Sequence, residues 1–386
     1  MKNICMIAFS HLPMDVRIKR EAEALSDSGY SVDIICLKGK DEQSFQDYDG
    51  FSVHRIDLTY NKIGAFSYIG SYGLFSIKSM IKLIQLNKKQ KYDTIHVHNP
   101  PDFLVLTAFP FKLLNRTRVI LDIHDPFPEI FASRFERKMD STFVHFLKKI
   151  QYICCIAADR IITVNDTIKN DLSSRGISNI FVVMNSPDEK LFDSSKRYTS
   201  KAEFNLEGKF IILYEGSIMK RRGLQILVEA VDSLKVEIPN ICCLIAGDGD
   251  YFDTILSMIK DKSLEDYVIM LGHKPVEYMP KYVSIADICV IPFTDAPIND
   301  IGTPNKLFEY MIYDKPIIVP KLRAMSDLLS EDDCFFFEPG NYKDLASQIV
   351  KIRNLVESSQ FIPIYKPVYE KCKWDLMKLK LLECYI

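Results

Sequence analysis

The chain has 386 residues, of which 47% are hydrophobic and 26% charged, and its formal net charge is −2. This length predicts two or three domains, and the ordinary composition excludes a disordered chain. The net charge and the lack of a Cys/His finger spacing exclude a generally basic nucleic-acid binder. Ten scattered cysteines indicate reduced thiols of a cytoplasmic protein, and the apolar run Ile4 to Phe9 is too short for a signal peptide or a membrane span.

Short apolar runs rich in β-branched residues alternate with helical patterns in two series. The first predicts strands at 4–9, 32–37, 94–97, 119–123, 160–164 and 180–183. The second predicts strands at 210–214, 241–246, 268–271, 288–291 and 317–319. Helices are predicted at 16–28, at 223–235 and in the tail from about 367. Buried parallel strands have this pattern, so we expect an α/β protein of two Rossmann-like, doubly wound domains with a boundary within 186–200.

Charged residues open the first predicted helix, near the end of the first strand. Asp15, Arg17, Arg20 and Glu21 lie there. We expect Arg17 either to meet a diphosphate or an acidic acceptor, or to form an Arg–Glu pair that caps the helix.

Three histidines lie on or just after strands of the first series. His124 follows strand 119–123, at the edge where open α/β sheets bind ligands. His96 and His98 face one side of a strand and, with His124, would offer nitrogen ligands to a metal ion. Spacing fixes no further ligand, so we expect no metal, and a structural role is the alternative for His124.

The loop Tyr214–Gly223 follows a strand and carries three consecutive cations, Lys220, Arg221 and Arg222. Gly216 allows a tight turn at the strand end. A cluster of this kind indicates an anionic ligand, and the alternative is a solvated basic turn.

Two further loops follow strands of the second series. Gly247 and Gly249 permit a tight turn in the sequence AGDGD, which we prefer to a metal site built on its aspartates. Gly272 and His273 follow the next strand.

The segment Thr303 to Pro316 predicts a helix that begins with an anion site. Thr303 is expected as the N-cap and Pro304 as the first helical residue, so that the free amides of Asn305 and Lys306 face a phosphate. Glu309, one turn later, would accept hydrogen bonds from ribose hydroxyls. An ordinary capped helix is the alternative.

This segment resembles the C-terminal half of the Glu-x7-Glu motif of glycosyltransferase family four, retaining enzymes of the GT-B fold, in the variant P-x-K-x-x-E-Y-M. The resemblance implies that Glu309 contacts the ribose of a nucleotide sugar. The first Glu of the motif, which contacts the donor sugar, falls at Ile301. Asn299, Asp300 or the backbone at Ile301–Gly302 would have to replace it.

The basic loop is similar to the family's Gly-Arg-x4-Lys-Gly segment. Gly216 and Gly223 match its glycines, Ser217 replaces the Arg, and Arg222 replaces the Lys. The resemblance therefore implies that Arg222, with Arg221 beside it, neutralises the donor diphosphate. An arginine keeps the charge and adds a fork that suits phosphate.

The remaining motifs follow the family in order along the chain. The first helix resembles a D-x-R-x-x-R-E-A variant, His124 matches a His that faces the donor sugar, and Gly272–His273 match backbone that contacts the base. In the family a tail helix crosses back to the N-terminal domain. We therefore expect an acceptor domain at 1–190, completed by about 367–386, and a donor domain at 200–366, facing each other across a cleft.

The resulting hypothesis is a retaining glycosyltransferase that moves a sugar from a nucleotide diphosphate sugar to a glycan or glycolipid acceptor, with no cofactor and no metal. Its catalytic residues would be His124, Arg222 and Glu309. Donor contacts are expected from Gly216, Ser217, Arg221, Arg222, Gly247, Gly272, His273, Gly302, Pro304, Asn305, Lys306 and Glu309. The alternatives are an epimerase or hydrolase of the same fold, or a catalytically silent nucleotide-binding partner in polysaccharide assembly.

The predicted helix 74–86 has an apolar face and a basic face. The apolar face comprises Leu74, Ile77, Ile81 and Ile84. The basic face comprises Lys78, Lys82 and then Lys89. Residues 60–150 hold 14 Lys and Arg against 7 Asp and Glu. This excess predicts contact with the anionic inner face of the cytoplasmic membrane. The alternative is a helix that packs on the sheet with its lysines in water.

Overall fold

The computed structural model describes residues 1–12, 15–58, 65–187, 189–193, 200–363 and 365–386. The chain divides into two compact units. Unit 1 comprises Met1–Asn185 and Asp375–Ile386, and unit 2 comprises Ser186–Trp374. Much of the predicted boundary segment, at 188 and 194–199, lies outside the described residues.

Unit 1 is a mostly parallel sheet with helices. Its elements are β1 (Asn3–His11), α1 (Val16–Asp27), β2 (Ser31–Leu37), β3 (Phe45–Tyr48), β4 (Phe51–Ile56), α2 (Ala65–Lys89), β5 (Thr94–His98), α3 (Phe109–Asn115), β6 (Arg118–Ile123), α4 (Phe127–Arg134), α5 (Thr142–Ala157), β7 (Arg160–Thr163), α6 (Asp166–Ser174) and β8 (Ile180–Val182). The strand order is β3-β4-β2-β1-β5-β6-β7-β8, and β3 pairs antiparallel with β4. The β3-β4 hairpin is absent from the sequence prediction.

Unit 2 contains a smaller sheet. Its elements are β9 (Phe210–Glu215), α7 (Leu224–Leu234), β10 (Ile241–Ala246), α8 (Phe252–Asp261), β11 (Val268–Gly272), α9 (Met279–Ile285), β12 (Ile288–Val290), α10 (Pro297–Ile301), α11 (Asn305–Ile312), β13 (Ile317–Pro320), α12 (Arg323–Leu328), β14 (Phe335–Phe337), α13 (Tyr342–Glu357) and α14 (Lys366–Glu370). Helix α15 (Trp374–Glu383) follows and belongs to unit 1 from Asp375 onward.

The order in the second sheet is β11-β10-β9-β12-β13-β14, with every described pairing parallel. Consecutive strands lie to one side of β9, and the chain then crosses to β12 on its other side. Order reverses in the same way between β1 and β5 in unit 1. Open α/β sheets bind ligands beyond the carboxyl ends of strands at such reversals, because the flanking loops diverge there.

Candidate functional site

Helix α11 has its first turn at the carboxyl end of β9, and its start differs from the prediction by one residue. The helix begins at Asn305, and Pro304 occupies the N-cap position in an extended conformation, at φ −76° and ψ 141°. The predicted cap at Thr303 and the predicted first turn at Pro304 are therefore wrong. A proline suits this place because its φ is fixed and it has no N–H to satisfy.

Lys306 points toward the sheet. Its ammonium donates a hydrogen bond to the backbone carbonyl of Glu215 and lies 4.0 Å from the centroid of the Tyr214 ring. Burial lowers the pKa of Lys306 to about 7, and the nearby Arg222 guanidinium lowers it as well. This lysine therefore fixes the first turn of α11 to the end of β9.

Glu215 and Glu309 form a carboxyl pair beside that lysine. Burial raises the pKa of Glu309 well above its ordinary value, and the charge on Glu215 raises it further. Burial also raises the pKa of Glu215. Neither carboxyl oxygen of Glu215 accepts a hydrogen bond from a donor among the described residues. If one of the two carboxyls is protonated, its O–H can donate to the other carboxylate. Glu215 is absent from the sequence prediction, although a charged residue at the end of the apolar strand β9 is a usable signal.

The basic loop forms a short turn at Lys220–Arg222. The guanidinium of Arg222 lies 4.3 Å from the ring centroid of Phe293, a distance at which a cation is attracted to an aromatic face. Gly223 follows with φ +74°, and a Cβ there would lie 1.7 Å from the carbonyl oxygen of Pro292. Glycine is therefore required where this loop touches the segment that follows β12.

The loops after β9, β10 and β11 are joined through their backbones. Gly216 N–H donates to the Ala246 carbonyl and Gly247 N–H donates to the Gly272 carbonyl, each at 2.9 Å. A Cβ on Gly247 would lie 1.9 Å from the carbonyl oxygen of Gly216, and one on Gly249 would lie 2.3 Å from that of Ile218. Glycine is therefore needed at both positions because the neighbouring loops are in contact there. The tight turn predicted from the sequence would not by itself exclude a Cβ.

The residues around Ile301 are held by internal contacts. Ile301 is buried. Asn299 donates from Nδ2 to the Arg221 carbonyl at 2.7 Å, and Asp300 pairs with Arg323 at 2.7 Å. Both polar side chains thus have structural partners, while Asn299 Oδ1 is buried with no hydrogen-bond partner among the described residues. The predicted contact residue His273 is exposed after β11.

Arg17 is held inside unit 1. Its guanidinium donates to both carboxylate oxygens of Asp122, at 3.0 and 3.1 Å, and to the Val183 carbonyl at 2.9 Å. It also lies 3.1 Å from Glu21. The pairing alternative is therefore the correct one, and Arg17 has little capacity left for an external anion.

A buried cluster surrounds this ion pair. Glu21, His96, His98 and Asp122 each offer one ligand atom, and these atoms lie within 4.8 Å of one another. The guanidinium of Arg17 already brings a positive charge to both carboxylates, which disfavours a metal ion at the same place. Burial raises the pKa of Glu21 to about 7, so this carboxyl holds a proton more readily than an ordinary glutamate.

His124 lies at the carboxyl end of β6, as the sequence predicts. Its backbone N–H donates to Asn99 Oδ1 at 3.0 Å. Burial lowers the pKa of His124 to about 4, so the imidazole is neutral near pH 7. Its Nε2 is buried with no hydrogen-bond partner among the described residues. A neutral ring with an unused nitrogen suits a hydrogen bond to a ligand hydroxyl.

Family comparisons cover most of both units. Residues 14–190 match the family described as Glycosyltransferase Family 4, and residues 196–360 match the family described as Glycosyl transferases group 1. Each half of the chain thus matches a glycosyltransferase family. One curated relative, the amylovoran biosynthesis glycosyltransferase AmsK of Erwinia amylovora, is 26% identical over 179 residues. That match covers 44% of each protein, so the chain spans less than half the length of this relative.

Solved structures match nearly the whole chain. Sucrose-phosphate synthase from Thermosynechococcus elongatus has a TM-score of 0.78 at 18% identity, with 100% of this chain and 98% of that one covered. Anabaena HepE in complex with UDP-glucose has a TM-score of 0.70 at 15% identity, with 100% and 99% covered. The homologues and structural neighbours are glycosyltransferases, and the prediction of two Rossmann-like domains of the GT-B type is confirmed.

Proposed function

We propose that this protein transfers a sugar from a nucleotide diphosphate sugar to an acceptor hydroxyl, with retention of configuration at the anomeric carbon. The observation that carries the proposal is the set of buried Glu215 and half-buried Lys306 and Glu309 beside Arg222, where strand order reverses in unit 2. Cations and carboxyls at this edge suit a ligand that combines a diphosphate with a ribose. The variant P-x-K-x-x-E-Y-M further supports a place in that subgroup of family four.

Each side chain has a proposed role. Glu309 accepts hydrogen bonds from the ribose, and Arg222 neutralises the diphosphate as negative charge develops on it. The amides at the start of α11 add positive potential toward the same phosphates. His124 contacts a sugar hydroxyl near the reacting carbon. We propose no cofactor and no metal, since fixed cations supply the neutralisation.

The proposed step is a front-face substitution. The acceptor oxygen forms a bond to the anomeric carbon while the bond from that carbon to the diphosphate oxygen breaks. The departing phosphate takes the acceptor proton, so no side chain has to act as a base. This assignment fits a neutral His124, whose pKa of about 4 makes it a poor proton acceptor near pH 7.

The acceptor is proposed to be a glycan or glycolipid in cell-surface polysaccharide assembly, made in the cytoplasm at the membrane. The AmsK relative is named for amylovoran biosynthesis, and HepE was solved with UDP-glucose. A silent nucleotide-binding partner is the second candidate, because Ser217 and buried Ile301 replace two charged residues of the family motifs.

A two-stage experiment tests the proposal. Thermal unfolding of the full chain is measured with UDP-, GDP-, ADP- and dTDP-sugars, and a ligand at about one hundred times its Kd should stabilise the fold by about 2.7 kcal/mol. The donor that stabilises the chain is then incubated with lipid-linked glycans, and products are followed by mass spectrometry. Donor loss without acceptor would favour an epimerase or hydrolase, and binding without turnover would favour the silent partner. The proposal fails if no nucleotide sugar binds.

A further inference from the structure

Helix α2 of unit 1 exposes one of its two apolar faces. From the sequence, this face is predicted either to meet a membrane or to pack on the sheet. Its buried stripe consists of Tyr72, Phe75, Ser79 and Leu83. The opposite stripe consists of Leu74, Ile77, Ile81 and Ile84, all exposed, with Ile77 at 60%. The helix therefore has one apolar face that is part of the core and a second that has no cover within the described residues.

Helices α3 and α5 continue this exposed apolar surface. The side chains of Leu113 and Leu114 on α3 are 67% and 82% exposed. On α5, Phe146, Ile153 and Ile156 are exposed by between 55% and 59%. Exposed apolar residues on three helices exceed what scattered surface positions of a soluble protein normally show.

These helices pack around one short helix. Tyr72 of α2 and Val144 and Leu147 of α5 belong to one core cluster. The short 3-10 helix Asp102–Thr107 packs against α2, α3 and α5. Because their inner faces meet the same interior, their outer faces are available together for one extended partner.

The charge on these helices is of one sign. Helices α2, α3 and α5 contain four, one and two lysines, and none contains Asp or Glu. Lys88, Lys89 and Lys149 are exposed. Lysines that flank an exposed apolar stripe are the pattern of helices that lie in the interface of an anionic bilayer. None of the helices in the described part of the chain is long and apolar enough to cross a membrane.

We infer that α2, α3 and α5 form a docking surface for an anionic lipid bilayer, with the exposed apolar residues entering the headgroup region and the lysines meeting lipid phosphates. The inference does not depend on sugar-transfer chemistry, since the contact lies on the helical face of unit 1. A docked enzyme would meet lipid-linked molecules at the surface where they are held.

Co-sedimentation of the full chain with vesicles tests this surface. Vesicles of phosphatidylcholine alone are compared with equal parts of phosphatidylcholine and phosphatidylglycerol. Binding should need the anionic lipid and should fall as salt rises from about 0.1 M to about 0.5 M. The triple variant Lys88→Gln, Lys89→Gln, Lys149→Gln should weaken binding by about fivefold for each lysine. Lys78 is left unchanged because it donates to the Asp57 carbonyl at 2.7 Å.

Matched variants distinguish the effect of lysines on this surface from the effect of a lower total charge. The control Lys260→Gln, Lys321→Gln, Lys343→Gln removes three exposed lysines of unit 2 and should bind as the parent does. Ile77→Ser, Ile81→Ser and Ile153→Ser should lose vesicle binding without a lower Tm, because these side chains are exposed. Ile153→Trp should shift its emission to shorter wavelength when vesicles are added.

Several results would overturn the inference. These are equal binding to both vesicle types, equal losses in the two lysine variants, or no blue shift from Ile153→Trp. A second copy of this chain as the occupant would give a dimer in sedimentation velocity that the serine variants dissociate and vesicles do not. That outcome would assign the same surface to self-association.

Discussion

Lys306 of α11 donates a hydrogen bond to the backbone carbonyl of Glu215 at the end of β9. The contact depends on Gly216, since a Cβ at that position would lie 2.7 Å from the lysine nitrogen. It also brings one ammonium group close enough to interact with the carboxyls of both Glu215 and Glu309. Because the three groups interact electrostatically, their protonation states depend on one another, and ligand binding at this edge should depend on pH.

Replacement of Glu309 tests the ribose assignment. Glu309→Ala should weaken binding of the donor nucleotide diphosphate by about 1 to 3 kcal/mol, the range for hydrogen bonds to a charged group. Calorimetry measures the affinity, and circular dichroism verifies that the variant remains folded. The exposed Glu265→Ala is the control. Parental affinity in a folded Glu309→Ala chain would show that the ribose lies elsewhere.

Replacement of Glu215 tests the coupling between the carboxyls. In the parent, the charge on Glu215 helps to hold the pKa of Glu309 high, so the Glu309 carboxylate forms only at higher pH. Glu215→Gln removes that charge, and Glu309 should then ionise at lower pH. If the carboxylate binds ribose, affinity rises with pH through this ionisation, and the midpoint of that rise should move to lower pH in the variant.

Calorimetry of nucleotide binding between about pH 5 and pH 9 gives this midpoint. The pH dependence of the free energy of unfolding is an independent measure of the same ionisation. A carboxyl with a raised folded pKa stabilises the chain fully below its unfolded pKa of 4.5, and this contribution is lost as pH rises through the folded value. An unchanged binding midpoint together with unchanged alkaline stability would show that the two carboxyls titrate independently.

Arg222 is expected to act on the rate. Arg222→Ala should reduce kcat by about 10² to 10³, because charge on the leaving diphosphate increases in the transition state. Arg222→Lys keeps the cation but loses the planar fork, so its kcat should lie between those of the parent and the alanine variant. Steady-state kinetics with the identified donor measure both. Parental kcat in Arg222→Ala would remove this residue from the mechanism.

The sequence predicted the elements that are apolar throughout and missed those that are not. Strand β9 is buried along its whole length and β1 from Ile4 to Ala8, so composition alone indicates them. The strand β3 has mostly exposed side chains and lacks that signal. Helix α2 has two apolar stripes of similar spacing, and spacing does not tell which one packs on the sheet. The inward direction of Lys306 depends on a distant strand end, which local sequence does not encode.

His124 allows a test that combines turnover with pH. His124→Gln should lower kcat with little effect on nucleotide affinity, if its Nε2 contacts the sugar alone. Burial lowers the pKa of this histidine from 6.5 to about 4. The unfolded chain therefore binds one more proton than the folded chain between these values, and stability falls as pH decreases through that range. The free energy of unfolding of the variant should therefore fall less on acidification, because the difference in bound protons between its unfolded and folded states is smaller by about one. An unchanged slope of this free energy against pH would contradict the burial of a neutral ring.

The contact between the loops after β9 and β10 predicts a difference between two glycines. Gly247→Ala would place a Cβ 1.9 Å from the Gly216 carbonyl oxygen, at a φ of +153°. The loops would have to separate, so we expect the free energy of unfolding to fall by about 1 to 3 kcal/mol and nucleotide affinity to fall with it. Gly272→Ala is the matched control, since its φ is +67° but no atom lies within 4 Å of the added carbon. It should lose only about 1 kcal/mol. Urea unfolding of both variants measures the difference, and equal losses would show that backbone strain, and not the loop contact, sets the requirement for glycine.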